Sequence, residues 1–273
     1  MRLVHSFASQ KCSEENFKMH MCYFILSCLY AKNSGFEIVL YCDKKTEDFL
    51  KIAPYDEIHP ILEGIEWPAN SRIYAWSKFF AMAHEPLGSI HIDGDVFLKD
   101  PKLLEKLNFD DYDCIVQSLE TPFVYGSDAR NCWEDCRKCF DSCEYPIWAK
   151  RLCNEMYNCG IVGINNQELK DEYFKTYWLM LERYNKTGID IDSVPDIIIE
   201  QQFLKDLTDY KRYKVKKLLR TYEFQQDAIN LGYQHLIGLS KMENLDRILK
   251  LIEKKDKNIY KKIILKYYGI NKH

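Results

Sequence analysis

At 273 residues, 47% hydrophobic and 29% charged, the chain can bury one sizeable core, and 8 prolines and 11 glycines exclude long disordered linkers. A formal net charge of -3 excludes nucleic acid as a general partner, and no apolar run is long enough to span a membrane. The amino-terminal stretch MRLVHSFASQKCSEE holds no segment of signal-peptide length, so a cytoplasmic protein is expected, its 11 cysteines reduced and some acting as core hydrophobes.

Arg2 to Ser9 reads as a first core strand whose small and polar end, Ser6 to Gln10, forms a loop, which makes Ser6 a candidate ligand contact. A helix from Glu15 to Lys32 follows, with Phe17, Met21, Phe24, Ile25, Cys28 and Leu29 at helical spacing. Phe36 to Cys42 is a second strand, Lys44 to Ile52 a short helix and Glu57 to Leu62 a third strand. Alternating β and α of this kind predicts an α/β fold on a parallel sheet. Trp67-Pro68 breaks the chain, and Ser71 to His84 resumes a helix carrying Lys78 among aromatics. A lysine there either snorkels to solvent or aims at a phosphate.

The stretch Gly88 to Leu98, GSIHIDGDVFL, reads as a buried strand that delivers carboxylates to its end. Asp93 and Asp95, two residues apart, point the same way in an extended chain, and Gly94 leaves room for a ligand to approach the backbone. Two carboxylates with open coordination positions suit Mg²⁺ or Mn²⁺ bridging to phosphate oxygens. A turn with two solvated acids is the plainer reading, and the apolar flanks weigh against it.

A short helix to Leu107 and a strand from Tyr112 to Leu119 come next. Cys132, Cys136, Cys139 and Cys143 then recur at spacings of four, three and four, on one face of a helix. The CxxxCxxC spacing is that of an iron–sulfur site, but its mid-chain position and Lys138 before the third cysteine make a thiol face without metal the default. Met156 to Gly160 reads as a polar elbow entering a strand, Ile161 to Ile164, with Asn158 as a turn residue or a contact to a polyhydroxylated ligand. Glu168 to Tyr184 is a helix, and the segment after Pro195 places Glu200 and Gln201 among apolar neighbours, where polar groups need a reason. A basic strand-like piece, Lys211 to Leu219, precedes YQHLIGLSK at Tyr233 to Lys241.

Taken together, Lys78 on its helix, Asp93-Gly94-Asp95, Asn158-Cys159-Gly160, Glu200-Gln201 and the HxxGxxK run from His235 to Lys241 resemble the retaining GT-A glycosyltransferases of glycosyltransferase family 8 in order and spacing. The sequence is also similar to uncharacterised bacterial families that carry HIDxDVFL. The resemblance implies a GT-A, nucleotide-diphospho-sugar transferase fold: a single Rossmann-like domain over residues 1–245 with a mixed central sheet. It implies a metal-dependent hexosyltransferase of polysaccharide biosynthesis, using a nucleotide sugar such as a UDP-hexose and a glycan or lipid-linked acceptor. Carried over residue by residue, Asp93, Asp95 and His235 would ligate Mn²⁺ (or Mg²⁺), with Asp93 also touching the ribose. Lys78, Gly238 and Lys241 would hold the nucleotide or its diphosphate, Asn158 the donor sugar, and Glu200 its hydroxyls, with Gln201 near the anomeric carbon. The sequence departs from the family at Met242-Glu243, where Pro-Trp is usual, and at Glu200, where Asp is common.

Two rival classes remain. A catalytically idle sugar-nucleotide or glycan-binding module would keep the fold without turnover. A haloacid dehalogenase-type phosphohydrolase also uses a DxD, but Phe97 stands where that motif wants Thr or Val. The last segment, residues 246–273, reads as a basic amphipathic helical tail. From Lys241 onward ten basic residues face four acidic ones, a local +6 in a chain of -3. Such a tail either packs its apolar side on the domain or gives the protein peripheral contact with the inner face of a membrane.

Overall fold

The computed structural model describes residues 1–10, 12–63, 75–100, 102–120, 146–149, 155–187, 197–219, 225–236 and 244–269. Of the residues named above, Trp67, Pro68, Ser71, Lys138, Pro195, Gly238, Lys241, Met242, Glu243 and the four cysteines at 132, 136, 139 and 143 lie outside them. In chain order the elements are β1 (Arg2–Phe7), α1 (Glu14–Asn33), β2 (Glu37–Cys42), α2 (Lys44–Leu50), β3 (Glu57–His59), α3 (Trp76–His84), β4 (Ile90–Ile92), β5 (Val96–Leu98), α4 (Leu103–Lys106) and β6 (Cys114–Glu120). After a 3₁₀ turn (Ile147–Ala149) come β7 (Met156–Ile164), α5 (Gln167–Thr187), a π-helical turn (Ile197–Gln202), α6 (Phe203–Lys211) and β8 (Val215–Lys217). The chain ends with α7 (Gln225–Asn230), β9 (Tyr233–His235), α8 (Leu245–Lys255) and α9 (Lys257–Tyr268).

Seven strands form a sheet in the order β3-β2-β1-β4-β7-β6-β8, and β5 pairs with β9 in a separate two-stranded sheet. The large sheet is mixed: β1, β2 and β3 run parallel, whereas β6 is antiparallel to β7 and parallel to β8. By internal contacts the chain divides into two compact units, Met1–Glu63 with Ile92–Lys106 and Gln225–His273, and Gly64–His91 with Leu107–Phe224. No helix among the described residues is long and apolar enough to cross a membrane.

In the first unit α1 is buried on nearly every side. Every residue from Met21 to Leu29 is buried, which is more than the one-sided stripe expected from its sequence. An all-round apolar helix needs cover on all faces, and the carboxyl-terminal α8 and the strand β5 both pack on α1. Ser13 caps its start by accepting from the Asn16 N–H at 3.3 Å, and Ser34 and Gly35, the latter at φ +83°, end it. The single strand expected through Leu98 breaks at Asp93, and its second half leaves the large sheet to pair with β9. Gly232 sets that pairing. It lies at φ +85°, a Cβ there would meet Asp100 Cβ at 2.2 Å, and its carbonyl accepts from the N–H groups of Lys99 and Asp100 at 2.7 and 3.1 Å.

In the second unit β7 is one strand of 9 residues, buried throughout. The elbow expected at Met156 to Gly160 is therefore strand, since antiparallel pairing continues from Ile164 to Met156 with only a local irregularity between Val116 and Ser118. Asn158 is tolerated there because its amide is satisfied: Nδ2 donates to Glu120 Oε1, and Oδ1 accepts from the Gly160 N–H at 2.9 Å. Of the described cysteines, Cys22, Cys28, Cys42, Cys114 and Cys159 are buried, as expected of core hydrophobes, and Cys12 is half-buried. Burial pushes the Cys28, Cys42 and Cys114 thiols well above the ordinary range.

Candidate active site

In the first unit the chain leaves β4 at Ile92, turns through Asp93 and Gly94, and enters β5 at Val96; the turn is closed by the Val96 N–H donating to the Asp93 carbonyl at 3.0 Å. Antiparallel pairing sets Val96 opposite His235, and the Leu236 N–H donates to the Asp95 carbonyl at 3.1 Å. The register thus delivers a histidine from β9 to the two acids. One ligand atom from each of Asp93, Asp95 and His235 lies within 4.8 Å of the others. His235 Nε2 is 3.4 Å from Asp95 Oδ1, with both side chains buried and Asp93 partly exposed. Two carboxylates and an imidazole that converge in this way, with one acid open to solvent, fit a divalent cation.

Gly94 has a different role from the one its sequence suggests. A Cβ built on it would come within 2.3 Å of the Phe24 ring, so the space is filled by α1 and not left for a ligand. Ser6 is not on a loop: it lies within β1, buried, in register with Tyr41. The loop beyond β1 is fixed by Asp43, whose carboxylate accepts from the Ser9 N–H at 2.5 Å and from the Thr46 N–H at 2.8 Å.

The second unit gathers a polar cluster of its own. Lys78 on α3 is buried, and its Nζ donates to Glu200 Oε1 at 2.5 Å and to the Cys159 carbonyl at 2.9 Å. Glu200 stands in the π-helical turn, and its carbonyl accepts from the Tyr173 hydroxyl at 2.6 Å. Next to it, Gln201 holds a buried Oε1 that accepts no hydrogen bond among the described residues. A π-turn shifts the side-chain register by one residue relative to an α-helix, and here it ends where α6 begins. Sequence reasoning named Lys78, Asn158, Glu200 and Gln201; it missed Glu120, Tyr173 and the Cys159 carbonyl, which hold Asn158, Glu200 and Lys78 respectively. Glu120 at the apolar end of YDCIVQSLE was the one visible signal.

Residues 1–266 match the family described as "Family of unknown function (DUF6734)", and the chain belongs to that family. No curated protein matches its sequence. Among solved structures, an active-site glutamine-to-glutamate mutant of LgtC is 12% identical with a TM-score of 0.51, the match covering 93% of this chain and 96% of that one. The galactosyltransferase LgtC with donor and acceptor sugar analogs is 12% identical at 0.48, covering 92% and 95%. The glycosyltransferase GlyE of Streptococcus pneumoniae TIGR4 is 11% identical at 0.46, covering 98% of this chain and 64% of that one. The fold is that of the GT-A nucleotide-diphospho-sugar transferases, a mixed α/β architecture on a seven-stranded sheet.

Proposed function

We propose that this family member is a metal-dependent glycosyltransferase that moves a hexose from a nucleotide sugar, a UDP-hexose, to the hydroxyl of a glycan or lipid-linked acceptor. The observation that carries the reading is the convergence of Asp93, Asp95 and His235, from sequence positions about 140 apart, into one divalent-cation donor set. The imidazole in that set favours Mn²⁺ over Mg²⁺, which prefers an octahedron of oxygens. With the ion bound, charge building on the departing diphosphate is neutralised.

The reaction breaks the bond from the anomeric carbon to the β-phosphate oxygen and forms one to the acceptor oxygen. The acceptor proton passes to the departing phosphate oxygen. In the second unit, Asn158 and Glu200 are assigned to the sugar hydroxyls and Gln201 to the neighbourhood of the anomeric carbon. An active-site glutamine is the residue changed in the LgtC structure above, in keeping with that role for Gln201. A carboxamide is a poor nucleophile, so retention proceeds by front-face attack without a covalent intermediate. Lys78, being hydrogen-bonded to Glu200, acts by orienting that carboxylate. The exposed lysines of α8 and α9, Lys250, Lys254, Lys261 and Lys262 among them, are assigned to peripheral contact with an anionic membrane.

The test is thermal shift against UDP-, GDP- and CMP-sugars with and without Mn²⁺, followed by donor hydrolysis. Stabilisation by one nucleotide class only in the presence of Mn²⁺, lost in Asp95→Ala, supports the reading. Metal-independent binding, or unchanged turnover in Asp95→Ala, rejects it, and nucleotide binding with no sugar release identifies an idle binding module. Sedimentation with anionic liposomes, reduced by Lys254→Glu with Lys261→Glu, tests the membrane contact.

A further inference from the structure

Helix α1 is tied to the acid-bearing strand through hydroxyl groups. Ser27 Oγ donates to the Val96 carbonyl at 2.5 Å and Ser34 Oγ to the Leu98 carbonyl at 3.2 Å. The serines, seven positions apart, share one face of the helix. The Asp95 carbonyl is taken by Leu236, so by strand alternation the carbonyls of Val96 and Leu98 point away from β9 and would be orphaned without α1.

Behind Ser27 the network continues. Its one hydroxyl proton goes to Val96, so toward His5 Nε2, 3.1 Å away, Ser27 is the acceptor. His5 therefore carries its proton on Nε2, and its Nδ1 accepts from the Tyr55 hydroxyl at 2.8 Å, much closer to that hydroxyl than its other acceptor, the Phe24 carbonyl at 3.4 Å. The direction is consistent along the chain: Tyr55 O–H to His5, His5 N–H to Ser27, Ser27 O–H to the carbonyl beside Asp95. Burial keeps the Tyr55 hydroxyl protonated, far above its ordinary pKa, and pushes His5 down to about 3 against the pull of the Asp95 charge, so the imidazole is neutral. Phe24, three residues before Ser27, fills the space at Gly94 and meets the His5 ring edge-on at 5.0 Å between centroids. A lone serine could rotate among its rotamers; one that receives an N–H from a histidine fixed on its other side has its proton committed to Val96.

We propose that His5, Ser27 and Tyr55 are positioning residues for the metal centre, a buried relay that fixes the backbone of the Asp93–Val96 turn so that Asp93, Asp95 and His235 are arranged for the ion before it arrives. The proposal rests on the metal reading given under Proposed function. It concerns none of the groups that would ligate the ion, only the support behind them.

The experiment titrates Mn²⁺ into the full chain, following free Mn²⁺ by electron paramagnetic resonance, with folding of each variant checked by circular dichroism. Ser27→Ala and His5→Phe are expected to weaken Mn²⁺ binding about tenfold, the usual loss for a supporting partner. His5→Gln, whose amide can both accept from Tyr55 and donate to Ser27, is expected to restore it. On the unchanged chain, ¹⁵N shifts are expected to report a neutral Nε2–H imidazole for His5. Affinity within twofold of the unchanged chain in folded Ser27→Ala and His5→Phe overturns the proposal, as does an Nδ1–H tautomer. Should either variant fail to fold, Tyr55→Phe, which removes one oxygen at the far end, decides with the same Mn²⁺ readout. Failure of the metal reading looks different: the unchanged chain binds no Mn²⁺, or Asp95→Ala binds it equally well, and the positioning proposal falls with it.

Discussion

The Lys78 ammonium donates to the Glu200 carboxylate at 2.5 Å across 122 positions of sequence, and both side chains are almost wholly buried. A lysine among the aromatics of α3 is thus neither snorkelling to solvent nor free to receive a phosphate while the pair stands. Removing one partner of a buried pair leaves a charge uncompensated, at a cost of about 3–5 kcal/mol. Lys78→Met is therefore expected to destabilise the protein by that amount in urea unfolding, and adding Glu200→Leu is expected to recover most of it. If Lys78→Met leaves the unfolding midpoint in place, the pair does not hold the second unit together in solution.

Gly94 offers a prediction of the opposite kind, an added atom. The methyl of Gly94→Ala would lie 2.3 Å from the Phe24 ring, closer than real atoms approach, and Phe24 is itself packed against His5 and Phe7. Overpacking of this sort costs about 1–3 kcal/mol. Gly94→Ala is expected to lower stability by that amount and to weaken Mn²⁺ binding, with Phe24→Leu in the same chain restoring part of both. Unimpaired stability in Gly94→Ala alone would show that the turn yields without cost.

What sequence reasoning reached and missed follows from these contacts. The DxD between apolar flanks was legible because a strand and its end are local patterns, whereas the approach of His235 to it was legible only through resemblance, and its pairing opposite Val96, a contact over about 140 residues, was not legible at all. Asn158 and Gly160 carry turn chemistry, yet they lie in a strand because Glu120, 38 positions away, satisfies the amide. The all-round burial of α1 could not be read from its own residues, since the helix that covers it, α8, comes near the end of the chain. His5 stood in plain view within an apolar strand, RLVHSF, but its partners Ser27 and Tyr55 are placed by the packing of α1 and by the approach to β3.

His5 also gives the protein a calculable response to acid. Its pKa is lowered from 6.5 to about 3, chiefly by burial, with Asp95 pulling the other way. Between those values the unfolded chain binds a proton that the folded chain does not, so stability falls as pH falls below about 6.5, by up to about 1.4 kcal/mol per pH unit. The contribution is present in full above the unfolded value and is lost as pH drops toward the folded one. In urea unfolding at pH 7 and pH 5, the unchanged chain is expected to lose about 2 kcal/mol more than His5→Phe. Equal losses in the two chains would mean that His5 is protonated in the folded state at pH 5.

The carboxyl-terminal helices give the last prediction, because their apolar side is already occupied. Ile248 and Ile252 of α8 and Ile259 and Ile263 of α9 are buried, α8 packs on α1, and Lys255 Nζ lies 3.8 Å from the centroid of the Tyr30 ring. Tyr267 stacks on Phe49 with centroids 3.4 Å apart, and Lys266 donates to the Asp48 carbonyl at 3.2 Å, which ties α9 to α2. Four buried isoleucines contribute on the order of 1.5–3 kcal/mol each, comparable in sum to the whole stability of an ordinary domain. A chain ending at Asn244 is accordingly expected to lose cooperative unfolding and to bind a hydrophobic dye through the bared face of α1. Ile252→Ala, a single cavity at the same contact, is expected to cost about 2–5 kcal/mol, while Lys261→Glu on the exposed side changes stability by less than ~0.5 kcal/mol. If the shortened chain keeps the urea midpoint of the full one, the two helices are an appendage and the burial of α1 does not depend on them; if Ile252→Ala and the truncation both destabilise, only charge changes on the exposed lysines can test membrane contact without unfolding the protein that makes it.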